Sequence, residues 1–159
     1  MTVLGQPIGL LEGSLDPEMV EFGIASGAEE ICLVPENRLE ITTEGGLDVA
    51  GQRGYLREFC QMLGEAGVRV SLFIDPDAEQ VRAAHKAGAD AIELHTGRYA
   101  DAADDKMRAR EFQDLVNAAK TAKKLGLPVN AGHGLHYNNL EPLLAIKEIE
   151  EYNIGHSII

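Results

Sequence analysis

Six short apolar runs in this sequence end in groups that can move protons or hold an anion. The first, near residues 8–11, ends in Glu12; the second, 31–34, in Pro35-Glu36; the third, 69–74, in Asp75. The fourth carries Glu93 and His95 and continues into Thr96-Gly97. The fifth ends in Asn130 and then Gly132-His133-Gly134, and the last contains Gly155-His156. Carboxylates and imidazoles crowded together shift one another's pKa through charge and burial, which suits proton-transfer chemistry. Glycines beside a strand end let backbone N–H groups approach an anion closely. Two such turns on consecutive late runs suit a phosphate. In a chain of net charge −12, a phosphorylated ligand needs such a local nest of donors.

Plainer roles compete for several of these residues. Asp75 precedes Pro76 and suits a helix N-cap. Glu36 serves equally as a salt-bridge partner. Glu93 and His95 alternate with Ala91, Ile92 and Leu94, so one of the pair is expected to point into the core, where a charge needs a partner. His85 has charged neighbours and reads as a surface residue, and His136 as a loop residue or the partner of a helix N-terminus. Cys32 reads as a small buried hydrophobe and Cys60 lies on an apolar helix face, so neither is expected to be a nucleophile. Metal binding by His95, His133, His156 and Glu93 is the rival to phosphate chemistry, but no HxH or HExxH spacing supports it, and no metal is expected. The long loop from Glu36 to Asp48 holds Thr42, Thr43, Gly45 and Gly46. It reads as a lid over the run ends, or as a solvated connection capped by Asp48.

A frame must bring the ends of these runs together. Four times an amphipathic segment is followed by glycine and then by an apolar run, at Gly27, Gly67, Gly88 and Gly126. Glycine just past a helix supplies the left-handed C′ conformation, and the runs read as strands buried on both faces. Leu56, Phe59, Cys60 and Leu63 repeat at helical spacing, as do Phe112, Leu115, Val116 and Ala119. Asp16-Pro17 and Asp75-Pro76-Asp77 open helices. The predicted helices are 17–26, one ending near 65, 77–87, 105–125 and 139–150; the last strand is placed at 154–159. Alternation of this kind gives a parallel α/β sheet, either open and doubly wound or part of a (β/α)8 barrel. A complete barrel takes ~250 residues, and this chain has 159. It begins almost in one run and ends inside another, so a single domain over 1–159 forming an incomplete barrel is expected.

The acidic balance, 26 Asp plus Glu against 14 Lys plus Arg, argues against nucleic acid or a membrane surface as partner. No apolar run reaches ~18 residues, and residues 1–10 do not resemble a signal peptide. Two cysteines make no disulfide framework, so a reducing, cytoplasmic location is expected.

Several stretches together resemble the pyridoxine 5′-phosphate synthase family of vitamin B6 biosynthesis. They are Leu33 to Glu36, Thr42 to Gln52 (TTEGGLDVAGQ), Val70 to Asp75, Ile92 to Gly97, Tyr99-Ala100, Val129 to Leu135 (VNAGHGL) and Asn153 to His156. The resemblance implies a (β/α)8 TIM barrel, of which this chain carries roughly strands three to eight. It implies condensation of 3-amino-1-hydroxyacetone 1-phosphate with 1-deoxy-D-xylulose 5-phosphate to pyridoxine 5′-phosphate, phosphate and water, without a cofactor. By the same resemblance, Glu12 is a general base, Glu93 a transition-state stabiliser and His133 a proton donor. Thr42 would contact the deoxyxylulose phosphate, and Gly134, Gly155 and His156 the other phosphate. Asp75 and His95 receive no role. Gly13 departs from the family, which has a larger residue there. The family's homo-octamers imply self-association. The alternative is an inactive fragment that binds phosphate or pairs with full-length subunits. Edge strands near 8–11 and 154–159 would leave such a fragment prone to aggregate or to partner.

Overall fold

The computed structural model describes residues 2–4, 10–13, 17–35 and 45–154. In chain order the elements are β1 (Thr2–Leu4), β2 (Leu10–Gly13), α1 (Pro17–Ala25), β3 (Glu30–Leu33), α2 (Arg53–Glu65), β4 (Arg69–Ile74) and α3 (Ala78–Ala87). There follow β5 (Ala91–His95), α4 (Gly97–Ala100), α5 (Asp105–Lys124), β6 (Val129–Gly132), α6 (Tyr137–Leu140), a 3-10 turn (Glu141–Ala145) and β7 (Ile149–Asn153). The strands form one parallel sheet in the order β1-β7-β6-β5-β4-β3-β2. The glycine turns behave as the sequence implies. Gly27, Gly67, Gly88 and Gly126 all have positive φ, and at Gly88 the cap N–H groups return to Ala84 and His85.

The sheet cannot be flat. β1 and β2 stand at its opposite edges, yet residues 5–9 alone join them. That linker spans ~20 Å at most, whereas six flat strand spacings would need ~29 Å. Contacts across the concave face agree. Glu93 on β5 meets Cys32 on β3 at 3.6 Å and Asn153 on β7 at 3.0 Å. Side chains from alternate strands meeting in one layer is the interior arrangement of a (β/α)8 barrel. Glu30 on β3 also acts on the Glu151 carboxyl of β7, on the far side of the bore; burial and then this like charge raise the pKa of Glu151.

The main core lies between the convex face and the helices. Leu56, Phe59, Cys60 and Leu63 of α2 and Leu115, Ala118, Ala119 and Ala122 of α5 pack on Leu33, Leu72, Ile92, Leu94 and Val129 of the strands. A second, smaller cluster of Cys32, Val34 and Phe73 lies apart from it.

One predicted element needs correction. No helix runs over 139–150. Pro142 has no N–H to donate and suits only a first turn, so α6 passes into the 3-10 turn, and Ile146 is already extended. The last strand among the described residues is Ile149–Asn153, whose run of glutamates hides it from an apolar-run reading, and the strand expected at 154–159 lies, from 155 on, outside the described residues. The strand Ile149–Asn153 is not an edge. β1, which the sequence reading does not contain, pairs with it through Thr2–Glu151, Val3–Tyr152 and Leu4–Asn153. β2 does stand at an edge.

Candidate active site

Glu93 sits mid-strand on β5, opposite Phe73 of β4 and Asn130 of β6, and is 5% exposed. The Asn153 Nδ2 donates to its Oε2 at 3.0 Å, and the Cys32 thiol approaches the same oxygen at 3.6 Å. Cys32 is thus more than filler, because its sulfur faces a carboxylate. The other oxygen, Oε1, lies where Gly132 would carry a Cβ. Glycine is needed at 132 to admit the carboxylate, not to supply an unusual backbone, since its φ is not positive.

His95 lies two residues further along β5. Both members of the pair are buried, where the sequence reading allowed one to the core. Period-two alternation puts them on the same side of the strand. Phe73 and the His95 ring make a T-shaped contact at 5.0 Å and 82°, and the His95 ring stacks on His133 at 4.9 Å and 23°. Asp75 Oδ1 lies 3.8 Å from His95 Nδ1. Asp75 is not the expected N-cap. Asp77 caps α3, accepting from Glu79 N at 2.6 Å, which leaves Asp75 to accept from Gly46 N at 3.0 Å. Leu47 N donates to Phe73 O at 2.7 Å, so residues 46–47 lie against the carboxyl end of β4. A Cβ on Gly46 would run into the Ile74 and Asp75 backbone.

His133 follows β6 directly, is half-buried, and has a φ of 90°. A left-handed backbone at a non-glycine residue costs on the order of 1–3 kcal/mol and persists only when its surroundings hold it. The Thr96 hydroxyl donates to His133 O at 2.6 Å, and Thr96 N to Gly132 O at 2.9 Å. Gly134 continues the turn at φ 71°, with its carbonyl accepting from Asn139 Nδ2 at 3.1 Å. A Cβ there would crowd Ala100. His136 caps α6, accepting from Asn138 N through its Nδ1 at 3.2 Å. His85 is exposed on α3.

Of the residues expected to form the site, His133 and Gly134 therefore follow the carboxyl end of β6, and Glu93 lies mid-strand on neighbouring β5 with its Oε1 against Gly132. Glu12 lies in β2 with its backbone paired to Cys32 of β3. Thr42, Gly155 and His156 lie outside the described residues, as do Glu36 and positions 37–44 of the expected lid. Among the described residues no three His, Cys, Asp or Glu are grouped as a metal ion would require, and no helix is long and apolar enough to cross a membrane. Sequence reasoning missed Asn153 and Thr96. The one signal for Asn153 was its place at the head of the Asn153 to His156 stretch.

The fold and these side chains define a parallel α/β protein of the incomplete-barrel type, with titratable groups gathered at the carboxyl ends of its strands. Among solved structures the chain is similar to a xylose isomerase domain protein from Planctomyces limnophilus, at a TM-score of 0.56 and 14% identity. The match covers 89% of this chain and 62% of that one, so this chain spans less than two thirds of that protein's length. At such low identity the likeness is one of fold. The family model described as "Pyridoxal phosphate biosynthesis protein PdxJ" matches residues 6–159, and the chain belongs to that family.

Proposed function

We propose that this chain carries the later part of a pyridoxine 5′-phosphate synthase active site, joining 3-amino-1-hydroxyacetone 1-phosphate to 1-deoxy-D-xylulose 5-phosphate. Membership of the PdxJ family supports the reading. The observation that carries it is the buried Glu93 carboxylate, held by Asn153 and fitted against Gly132, one residue before the strained His133. The reaction joins an amine to a ketone, expels phosphate and water, and closes a ring, and each step moves a proton. A fixed carboxylate near an imidazole suits this work: Glu93 stabilises positive charge developing on the intermediate, and His133 donates a proton to a departing oxygen. Each such group contributes ~10²–10⁴-fold. Glu12 is the proposed general base. Thr42 is proposed for the deoxyxylulose phosphate, and the backbone at Gly134, Gly155 and His156 for the aminoacetone phosphate. No cofactor takes part, the protein works in the cytoplasm as a homo-oligomer, and residues 1–159 act as one domain.

The test is direct formation of pyridoxine 5′-phosphate from both substrates by purified protein, with Glu93→Gln and His133→Asn alongside. Loss of ~10²-fold or more in kcat for each variant is expected. Full turnover by either variant would remove that residue from the reaction.

A further inference from the structure

We propose that His95, anchored by Asp75, is a positioning residue that fixes the ring of His133. The catalytic consequence rests on the reading of His133 as a proton donor; the geometry of the clamp does not. A 4% exposed imidazole is a poor choice for filling space. Three groups hold His95: Phe73 makes a T-shaped contact with it, Asp75 Oδ1 lies 3.8 Å from its Nδ1, and its face lies on His133. The next two residues complete the grip. Thr96 donates its hydroxyl to His133 O, and Gly97 leaves room for both rings. An added Cβ at Gly97 would lie 2.6 Å from His95 Cε1 and 3.1 Å from His133 Cδ2.

His95-Thr96-Gly97 thus supplies a ring, a hydroxyl and a space to the turn at Gly132-His133-Gly134. The backbone bond from Thr96 fixes where His133 starts, and the stack fixes how its ring lies. Asp75 also accepts from Gly46 N, so one carboxylate ties the end of the 45–47 segment to the histidine pair. A proton donor must be within hydrogen-bond reach of its acceptor and correctly directed. Ring orientation at His133 is the quantity this arrangement controls.

The experiment compares wild type, His95→Leu, His95→Phe and Asp75→Asn by NMR of isotope-labelled protein. In wild type, the His133 Hδ2 proton should show a nuclear Overhauser contact to Gly97 Hα. His95→Leu should lose that contact while the amide spectrum stays dispersed, and His95→Phe, which keeps a ring to stack, should retain it. Asp75→Asn keeps an acceptor for Gly46 N but loses the charge facing Nδ1, and should weaken it. In the condensation assay, His95→Leu should lower kcat at least tenfold with KM changed less than threefold, and His95→Phe should recover to within threefold of wild type. An unchanged His133 contact in His95→Leu overturns the proposal. If that variant fails to fold, an unchanged contact in Asp75→Asn overturns the anchoring. A released ring with unchanged kcat upholds the clamp and instead removes His133 from the reaction.

Discussion

Gly132→Ala adds one methyl group where Glu93 and Asn153 leave no room for it. An ideal Cβ there overlaps Glu93 Oε1 and lies 3.0 Å from Asn153 Cβ and 3.1 Å from Asn153 O. The backbone cannot give way freely, because Gly132 pairs with His95 on one side and Asn153 on the other. Overpacking of this kind costs ~1–3 kcal/mol. Relief requires Glu93 to swing away from Asn153 Nδ2, and a hydrogen bond to a charged group contributes ~1.5–3 kcal/mol. The expected loss is therefore on the order of 3–5 kcal/mol, a large part of a typical ~5–15 kcal/mol stability. At ~2–4 °C per kcal/mol the melting temperature should fall by roughly 6–20 °C. Gly64→Ala is the control: it lies inside α2 with nothing within 4 Å of the added methyl group, and should stabilise by ~0.5–1 kcal/mol. Urea and thermal unfolding of both variants decide the matter. A Gly132→Ala protein within ~0.5 kcal/mol of wild type would show that Glu93 does not occupy the space assigned to it. If the variant folds, displacement of the carboxylate by about 1 Å should cost ~10²-fold in turnover.

Burial pushes the Cys60 thiol from 9.0 up to about 11, so Cys60 should resist a thiol reagent at pH 8 until the protein is unfolded; rapid native labelling would contradict its placement. Glu151 is raised by burial and then by Glu30, so its contribution favours folding while it is protonated and is lost as pH rises through its raised pKa. Glu151→Gln should thus melt higher than wild type at pH 7 and not at pH 4; partial exposure limits the gain to less than ~1 kcal/mol, or about 2–4 °C. An equal effect at both pH values would rule out the charge explanation. Phosphate titration followed by amide NMR should shift Gly132, His133 and Gly134 before other residues. Movement confined to the lysines of α5 would place the anion elsewhere.

The long helices α2, α3 and α5 were legible because their apolar positions recur every three to four residues and glycines with positive φ follow them, as at Gly67 and Gly88, whereas the short turns between 137 and 145 were not. β4 and β5 were legible as apolar runs bounded by turns, and the polar residues at their ends marked one edge of the sheet. β7 was not, since Glu150 and Glu151 interrupt its apolar pattern. Nor was β1, whose three residues become a strand only because β7 offers them a partner. At the site, Glu93, His133 and Gly134 stood out by residue type. What only the tertiary structure decided was which groups meet: Asn153 and Cys32 on Glu93, His95 on His133, Asp75 between Gly46 and His95. Strand period and helix period are local and can be read along the chain. A contact between residues 60 apart depends on sheet curvature and on the space left by glycines such as 132 and 97, and that is set by the packing of the whole fold.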